Sequence, residues 1–184
     1  MCYQREYKNY GILALIVCMI IFGCKKKSGY LSSRSDTQIE PASGSDMQVE
    51  PGVGFGTVKF RMTEDEVIKQ LGKPERIEEH GGDKIMMLYL SKGLGIYVFK
   101  ENGVQSFTFT TQEMLPPILK SNDFKGTTKE GIGIGSSEAQ IEAAYGKPTE
   151  SSVQSNRKTL DYKTLGINFI MLSDKVAQFT IRIP

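Results

Sequence analysis

The chain has few of the side chains that carry out chemistry. Its 184 residues include three cysteines and one histidine. The cysteines are Cys2, Cys18 and Cys24, and His80 is followed by two glycines. A lone histidine in a glycine-rich turn makes a poor member of a catalytic triad. We therefore expect a protein that is not an enzyme, with no catalytic, cofactor-binding or metal-binding residues.

Two alternatives stay open in this search for chemistry. The fold can bring two carboxylates together for acid–base work, which a sequence does not reveal. Glu79, His80 and Asp83 carry ligand types that suit a metal ion. Adjacent side chains point apart, however, and Gly81 and Gly82 loosen the segment. An exposed turn is the simpler interpretation.

The chain also lacks an excess of charge of one sign. Its 23 basic side chains stand against 21 acidic ones. General binding to nucleic acid needs a strong basic field, so we expect no nucleic-acid partner.

Long apolar runs are absent as well. Residues 11–22 form an uncharged run of twelve, whereas a membrane helix needs about 20 residues. A short run after the basic residues Arg5 and Lys8 is typical of a signal peptide. Ile21-Phe22-Gly23-Cys24 resembles the bacterial lipobox, in which a small residue precedes a lipidated cysteine.

This resemblance implies a signal peptide at 1–23 and a lipid anchor at Cys24 that holds the protein to a membrane. The alternative is an uncleaved anchor, but the three lysines at 25–27 would then oppose the usual orientation. Cleavage would remove two basic residues and one acidic residue, which leaves 21 basic side chains and 20 acidic ones. Lys25 after the anchor predicts a bacterial cell-envelope protein, lipid-anchored at the outer membrane and facing the periplasm.

Residues 24–51 are rich in serine, aspartate, glycine and proline, which predicts a disordered tether. A heptad occurs twice in it, as SDTQIEP at 35–41 and SDMQVEP at 45–51. A spacer is the simpler interpretation, and a peptide-binding role for the heptad is the alternative.

A longer phrase is repeated in the rest of the chain. TEDEVIKQLGKP at 63–74 and SEAQIEAAYGKP at 137–148 each begin with a capping box and end with glycine and proline. Each predicts a short helix with both ends marked. A phosphate-binding loop is the alternative for Gly-Lys-Pro, but that motif needs serine or threonine after the lysine.

Alternating apolar residues follow each helix and predict strands. Lys100-Glu101-Asn102-Gly103 adds a hairpin turn. We therefore expect an α+β fold of two tandem units, each with one helix and a three-stranded antiparallel meander. The units span 52–112 and 124–184, with a linker at 113–123, and their sheets pack together or join with the helices on one face.

The run from Gly131 to Pro148, followed by a meander, resembles the β-lactamase-inhibitor-protein-like fold, which the BamE (SmpA) lipoproteins of outer-membrane assembly share. This resemblance covers residues 52–184. It implies a curved sheet whose open face grips another protein, and it transfers no functional residue.

We therefore expect a non-enzymatic envelope lipoprotein that binds another protein, in outer-membrane assembly or maintenance. The candidate interface is the polar sheet face, formed by Tyr97, Thr108, Thr110, Asn168, Thr180 and Arg182. The alternative is a periplasmic inhibitor or sensor that binds a hydrolase or an envelope polymer.

Overall fold

The computed structural model describes residues 47–184. The predicted signal peptide, the lipidation site at Cys24 and the first copy of the heptad lie outside these residues. The strands, in chain order, are β1 (Gln48–Glu50), β2 (Gly54–Phe55), β3 (Val58–Lys59), β4 (Arg76–Glu79), β5 (Lys84–Tyr89), β6 (Leu94–Phe99), β7 (Gly103–Thr110), β8 (Thr127–Thr128), β9 (Glu150–Gln154), β10 (Arg157–Tyr162), β11 (Ile167–Leu172) and β12 (Lys175–Arg182). The helices are α1 (Glu64–Leu71) and α2 (Glu138–Tyr145), and three short 3-10 turns lie at Leu90–Lys92, Gln112–Met114 and Lys163–Leu165.

Eight of the strands form one antiparallel sheet, in the order β4-β5-β6-β7-β12-β11-β10-β9. Its two halves meet where β7 pairs with β12, with Phe107 opposite Ile181 and Phe109 opposite Phe179. All four of these side chains are fully buried. Because β7 and β12 bury these paired side chains on the same face, the two halves form one continuous sheet.

A second sheet of four strands, in the order β3-β2-β1-β8, packs on that buried face. Phe55 of β2 lies edge-on to Phe109 with ring centroids 5.4 Å apart. Phe124, in the segment before β8, contacts Phe179 at 5.9 Å. These aromatic contacts between the sheets form the centre of the core, because each ring removes a large apolar area from water.

Both helices begin at the predicted capping boxes. Thr63 Oγ1 accepts a hydrogen bond from the Glu66 amide, and the Glu66 carboxylate accepts one from the Thr63 amide. Ser137 and Gln140 make the same pair of bonds. Each helix places one fully buried residue in the core, Val67 or Ile141. Gly72 and Gly146 follow the last residue of each helix with a positive φ, as in a helix stop. A phosphate loop lies ahead of a helix instead.

The predicted α+β class is wrong. The described residues are mostly β, with sheets of four and eight strands and only two helices of eight residues each. We predicted three strands after each helix, and there are four. The additional strands β4 and β9 are edge strands whose residues are mostly exposed, so their sequences have no apolar alternation. Strands β1, β2, β3 and β8 contain two or three residues, too few for a periodic signal.

The predicted disordered tether at 24–51 is wrong for residues 48–50. Residues 48–50, which the composition placed in the tether, form β1 in the middle of the smaller sheet. Val49 is fully buried there. One apolar residue between two polar ones is enough for a strand when both of its edges are paired, and composition alone does not reveal this.

Candidate protein-binding face

The eight-stranded sheet has one face buried against the smaller sheet and the helices, and a second face formed by the alternate side chains. We call the second face the open face. Most of its central side chains are half-buried, since neighbouring side chains on a sheet shield one another. The register that joins β7 to β12 extends this face across both halves of the sheet.

One row of residues crosses the open face through all eight strands. Each residue of the row is the direct partner of the next across the strand pairs. We call it the central row, and it consists of Arg76, Leu88, Gly95, Thr108, Thr180, Asn168, Asp161 and Glu150. At its centre, Thr108 Oγ1 lies 3.2 Å from Thr180 Oγ1, which bonds the two halves through their side chains.

Five of the six predicted interface residues lie together on the open face. Thr108, Thr180 and Asn168 belong to the central row. Tyr97 and Arg182 are both partners of Ser106, in the next row. The sixth, Thr110, is only 5 % exposed, so it offers almost no surface to a partner. It lies at the end of β7, where its carbonyl oxygen accepts a bond from the Phe124 amide and the returning chain covers it.

An ion pair organises the second half of the open face. The Arg182 guanidinium donates to both carboxylate oxygens of Asp161, at 2.8 and 3.0 Å, and to Asn168 Oδ1 at 3.3 Å. The Arg182 and Asp161 side chains are 36 % and 22 % exposed. Arg182 thus bridges three strands and remains accessible to a partner that offers an acceptor.

Aromatic side chains organise the first half. Tyr97 lies edge-on to Phe99 with centroids 5.5 Å apart, and His80 lies edge-on to Tyr97 at 5.8 Å. The Lys84 ammonium is 5.2 Å from the centre of the Phe99 ring. His80 therefore packs against the rim of the open face. Within residues 47–184 no three histidine, cysteine, aspartate or glutamate side chains are grouped as metal ligands.

The open face also carries apolar residues that were not among the predicted interface residues. Met86 and Leu88 of β5 are half-buried and lie beside Gly95, whose missing side chain leaves room for them. A Cβ at Gly95 would lie 3.3 Å from the Met86 sulfur and 3.6 Å from a Leu88 methyl carbon. The signal was present in the alternation of KIMMLY, because every second residue of that strand is buried in the core and the others face outward.

A cleft of about 540 Å³ lies at the other side of the molecule, between the second helix, the segment after β8 and the C-terminus. The Tyr145 hydroxyl lies 2.7 Å from a Glu130 carboxylate oxygen and 2.7 Å from Thr128 Oγ1. Burial raises the pKa of Tyr145 far above its usual value, and the Glu130 carboxylate adds to this while the bond to Thr128 opposes it. The phenol thus stays protonated and acts as a bridge between α2 and the smaller sheet.

Neither helix in residues 47–184 is long and apolar enough to cross a bilayer. No family model and no curated protein matches the chain. Two solved structures are similar to it at 10% identity. One is a DUF4309 family protein (YjgB) from Bacillus subtilis, with a TM-score of 0.46, covering 71% of this chain and 87% of that one.

The other is an extracellular protein containing a SCP domain from Bacillus anthracis, with a TM-score of 0.42, covering 80% of this chain and 49% of that one. This chain thus spans about half the length of the B. anthracis protein. Similarities this distant carry no functional argument. The resemblance to the β-lactamase-inhibitor-protein-like and BamE families stays a prediction.

Proposed function

We propose that this protein is a bacterial envelope lipoprotein, anchored through Cys24 at the periplasmic side of the outer membrane. It binds another protein there through the open face, in the assembly or maintenance of that membrane. The observation that carries the proposal is the central row. A face that continues through eight strands offers a partner a broad and preorganised surface, and no described helix covers it.

The composition of the open face suits protein recognition. Tyrosine and arginine are enriched among the residues that contribute most to binding energy at interfaces. Tyr97 and Arg182 flank Ser106 in one row, so an aromatic anchor and a charged anchor lie on the same line. Met86, the partner of Tyr97, and Leu88 add apolar surface beside Tyr97 in the first half of the face, and protein interfaces combine such apolar groups with polar ones.

The proposed anchor places this face within reach of the membrane. From Cys24 to the first residue of β1 is 24 residues, counted from 24 to 48. A flexible chain of that length spans about 27 Å between its ends. A partner embedded in or bound to the outer membrane is therefore accessible to the sheet.

Site-specific photo-crosslinking in the envelope tests the proposal. A photoreactive residue at Ser106, between Tyr97 and Arg182, should capture the partner. The matched control is the same residue at Gln70, which is exposed on α1. Capture of outer-membrane assembly subunits from Ser106 alone supports the proposal. Capture of a hydrolase or a glycan instead supports an inhibitor or sensor, and equal labelling from both positions would exclude the open face as the binding surface.

The anchor has its own test. Cys24→Ala should release the protein from the membrane fraction. A variant that stays firmly bound to the membrane would contradict lipidation, whatever the crosslinking at Ser106 shows.

A further inference from the structure

Strand β1 fills a slot between two other strands. It pairs antiparallel with β2 on one side and parallel with β8 on the other, so that Val49 is opposite both Phe55 and Thr128. The Lys129 amide donates to the Val49 carbonyl oxygen at 3.2 Å, and the Gly56 amide donates to the Gln48 backbone carbonyl oxygen at 2.9 Å. Without an occupant, the smaller sheet would separate between β2 and β8.

The slot makes few demands on the sequence that fills it. Gln48 and Glu50 are exposed, and Val49 alone is buried in the core. The remaining contacts are backbone hydrogen bonds, which any extended chain except proline can make. An occupant therefore needs one β-branched apolar residue between two polar residues.

The chain carries a second segment of this kind. The heptads at 35–41 and 45–51 are identical at five of seven positions. Gln38 and Glu40 correspond to Gln48 and Glu50, and Ile39 replaces Val49 with another β-branched residue. The other difference is Thr37 in place of Met47, which is partly buried against the core.

We propose that residues 38–40 are an alternative occupant of the β1 slot within the same chain. In the exchanged state, Ile39 takes the place of Val49 and residues 41–53 become a loop before β2. If the chain is anchored at Cys24 as proposed, the exchange shortens the tether from 24 residues to 14. Its span then falls from about 27 Å to about 20 Å. The exchange itself depends only on β1 and the two heptads, and not on the open face.

The structure also explains why residues 48–50 are the favoured occupant. The loop between the strand and β2 grows from three residues, 51–53, to thirteen, 41–53. The probability that a flexible loop closes falls with about the three-halves power of its length. The longer loop therefore makes the exchanged state roughly ninefold rarer than the observed one. The exchange also loses the bond from the Val53 amide to the Glu50 carbonyl oxygen, at 3.0 Å, and the packing of Met47.

Crosslinking tests the exchange in the full-length chain, purified in detergent with its three native cysteines changed to serine. Thr127 is the exposed partner of Gln48, so Thr127→Cys with Gln48→Cys should react with a short bis-maleimide. Thr127→Cys with Gln38→Cys should give the same product within the monomer, in less than a tenth of the yield. The control is Thr127→Cys with Ser43→Cys, which lies midway between the two registers. Equal yields at positions 38 and 43, or a product found only as a dimer, would overturn the proposal.

Thermal unfolding gives a second, independent measurement on the same full-length chain. Val49→Ser should lower the Tm, and Ile39→Ser alone should change it by less than about 1 °C. In the Val49→Ser background the favoured occupant is weakened, so Ile39→Ser should lower the Tm by a further 2–4 °C or so. Ile39→Val in that background is the control, and it should leave the Tm unchanged. If Ile39→Ser has the same small effect in both backgrounds, residues 38–40 do not use the slot.

Discussion

The hydroxyl of Tyr162 donates a 2.9 Å hydrogen bond to the carbonyl oxygen of Gly146. Gly146 ends α2, and the last carbonyl groups of a helix have no partner within it. Tyr89 makes the same 2.9 Å bond to Gly72 at the end of α1. A tyrosine from the sheet thus fixes the position of the end of each helix by a hydrogen bond. Such tertiary contacts are needed because a helix of eight residues is unstable alone.

Removal of the Tyr162 hydroxyl should lower stability. We expect Tyr162→Phe to reduce the free energy of unfolding by about 1 kcal/mol, because the ring packing remains and a single hydrogen bond is lost. Urea denaturation of the protein provides the measurement. Tyr97→Phe is the control, since the Tyr97 ring lies on the open face, and it should change stability by less than about 0.5 kcal/mol. Equal effects of the two variants would contradict a structural role for the bond to Gly146.

The buried tyrosines should make the fold sensitive to high pH. Burial raises the pKa of Tyr89 to about 12 from its usual value of 10, with smaller contributions from nearby glutamates, and burial also raises the pKa of Tyr162 and Tyr145. A raised pKa contributes stability that is complete below pH 10 and is lost as the pH rises toward 12. The urea midpoint should therefore fall steadily above pH 10. The fall should be shallower in Tyr162→Phe, and a midpoint that stays constant up to pH 11 would contradict this linkage.

The capping box of the first helix should contribute both stability and acid sensitivity. Hydrogen bonds from the Thr63 amide and hydroxyl lower the pKa of Glu66. Thr63→Ala should cost about 1 kcal/mol at neutral pH, which is typical of a lost N-cap. A lowered pKa contributes stability above pH 4.5 that is lost as the pH falls further. The difference in stability between the wild type and the variant should therefore narrow in acid, as the bond from the Thr63 hydroxyl to the Glu66 carboxylate is lost. It should not vanish, because the bond from the Glu66 amide to Thr63 Oγ1 does not titrate. Ser151→Ala, on the exposed edge strand, is the control and should leave the denaturation curve unchanged at either pH.

Two glycines with similar backbone angles should differ in their tolerance of alanine. Gly103 has a φ of +66°, and a Cβ there would lie 2.2 Å from the Arg61 carbonyl oxygen. Gly81 has a φ of +80°, with no atom within 4 Å of such a Cβ. Gly81→Ala should therefore cost only the strain of the left-handed conformation, roughly 1 kcal/mol. Gly103→Ala must also move backbone, and we expect about 3 kcal/mol or more. Similar unfolding midpoints for the two variants would show that the Arg61 segment can move freely.

The aromatic anchor should affect binding more than folding. Tyr97→Ala should reduce partner capture from a photoreactive residue at Ser106 by roughly tenfold or more, since interface tyrosines commonly contribute over 1 kcal/mol. Asp65→Ala, at an exposed site on α1, is the control and should leave capture unchanged. A thermal melt of each variant separates lost binding from lost folding. Full capture by a well-folded Tyr97→Ala variant would remove Tyr97 from the interface.

Local signals in the sequence predicted local structure well. The capping boxes at Thr63 and Ser137 and the turn at Asn102-Gly103 are all present. Similar local sequence can mislead, however, as Leu94-Gly95-Ile96 and Leu165-Gly166-Ile167 look alike but are not structural counterparts. In the structure the counterpart of Gly166 is Gly93, because both adopt left-handed conformations directly after a 3-10 turn. Gly95 instead lies within a strand and makes room for Met86 and Leu88 on the open face.

The candidate interface was predicted only in part, because alternation along a strand is a local signal and contacts with distant segments are not. Alternation placed Thr108, Thr180 and Arg182 on one face, and five of the six predicted residues lie there together. Alternation did not reveal the burial of Thr110, which depends on a chain segment that returns from beyond the strand. It also did not reveal the pairing of Arg182 with Asp161, which are 21 residues apart.

By itself, the sequence determined where the helices begin and end, where the chain turns, and which face of each longer strand is apolar. These properties depend on residues within a few positions of one another, and their energetics are local. Only the tertiary structure decided that β7 pairs with β12 to make one open face. It also decided that Val49, which the composition assigned to the tether, lies in a strand between β2 and β8. Both depend on which distant segments bury their apolar residues together, and a single sequence carries no short-range signal for that choice.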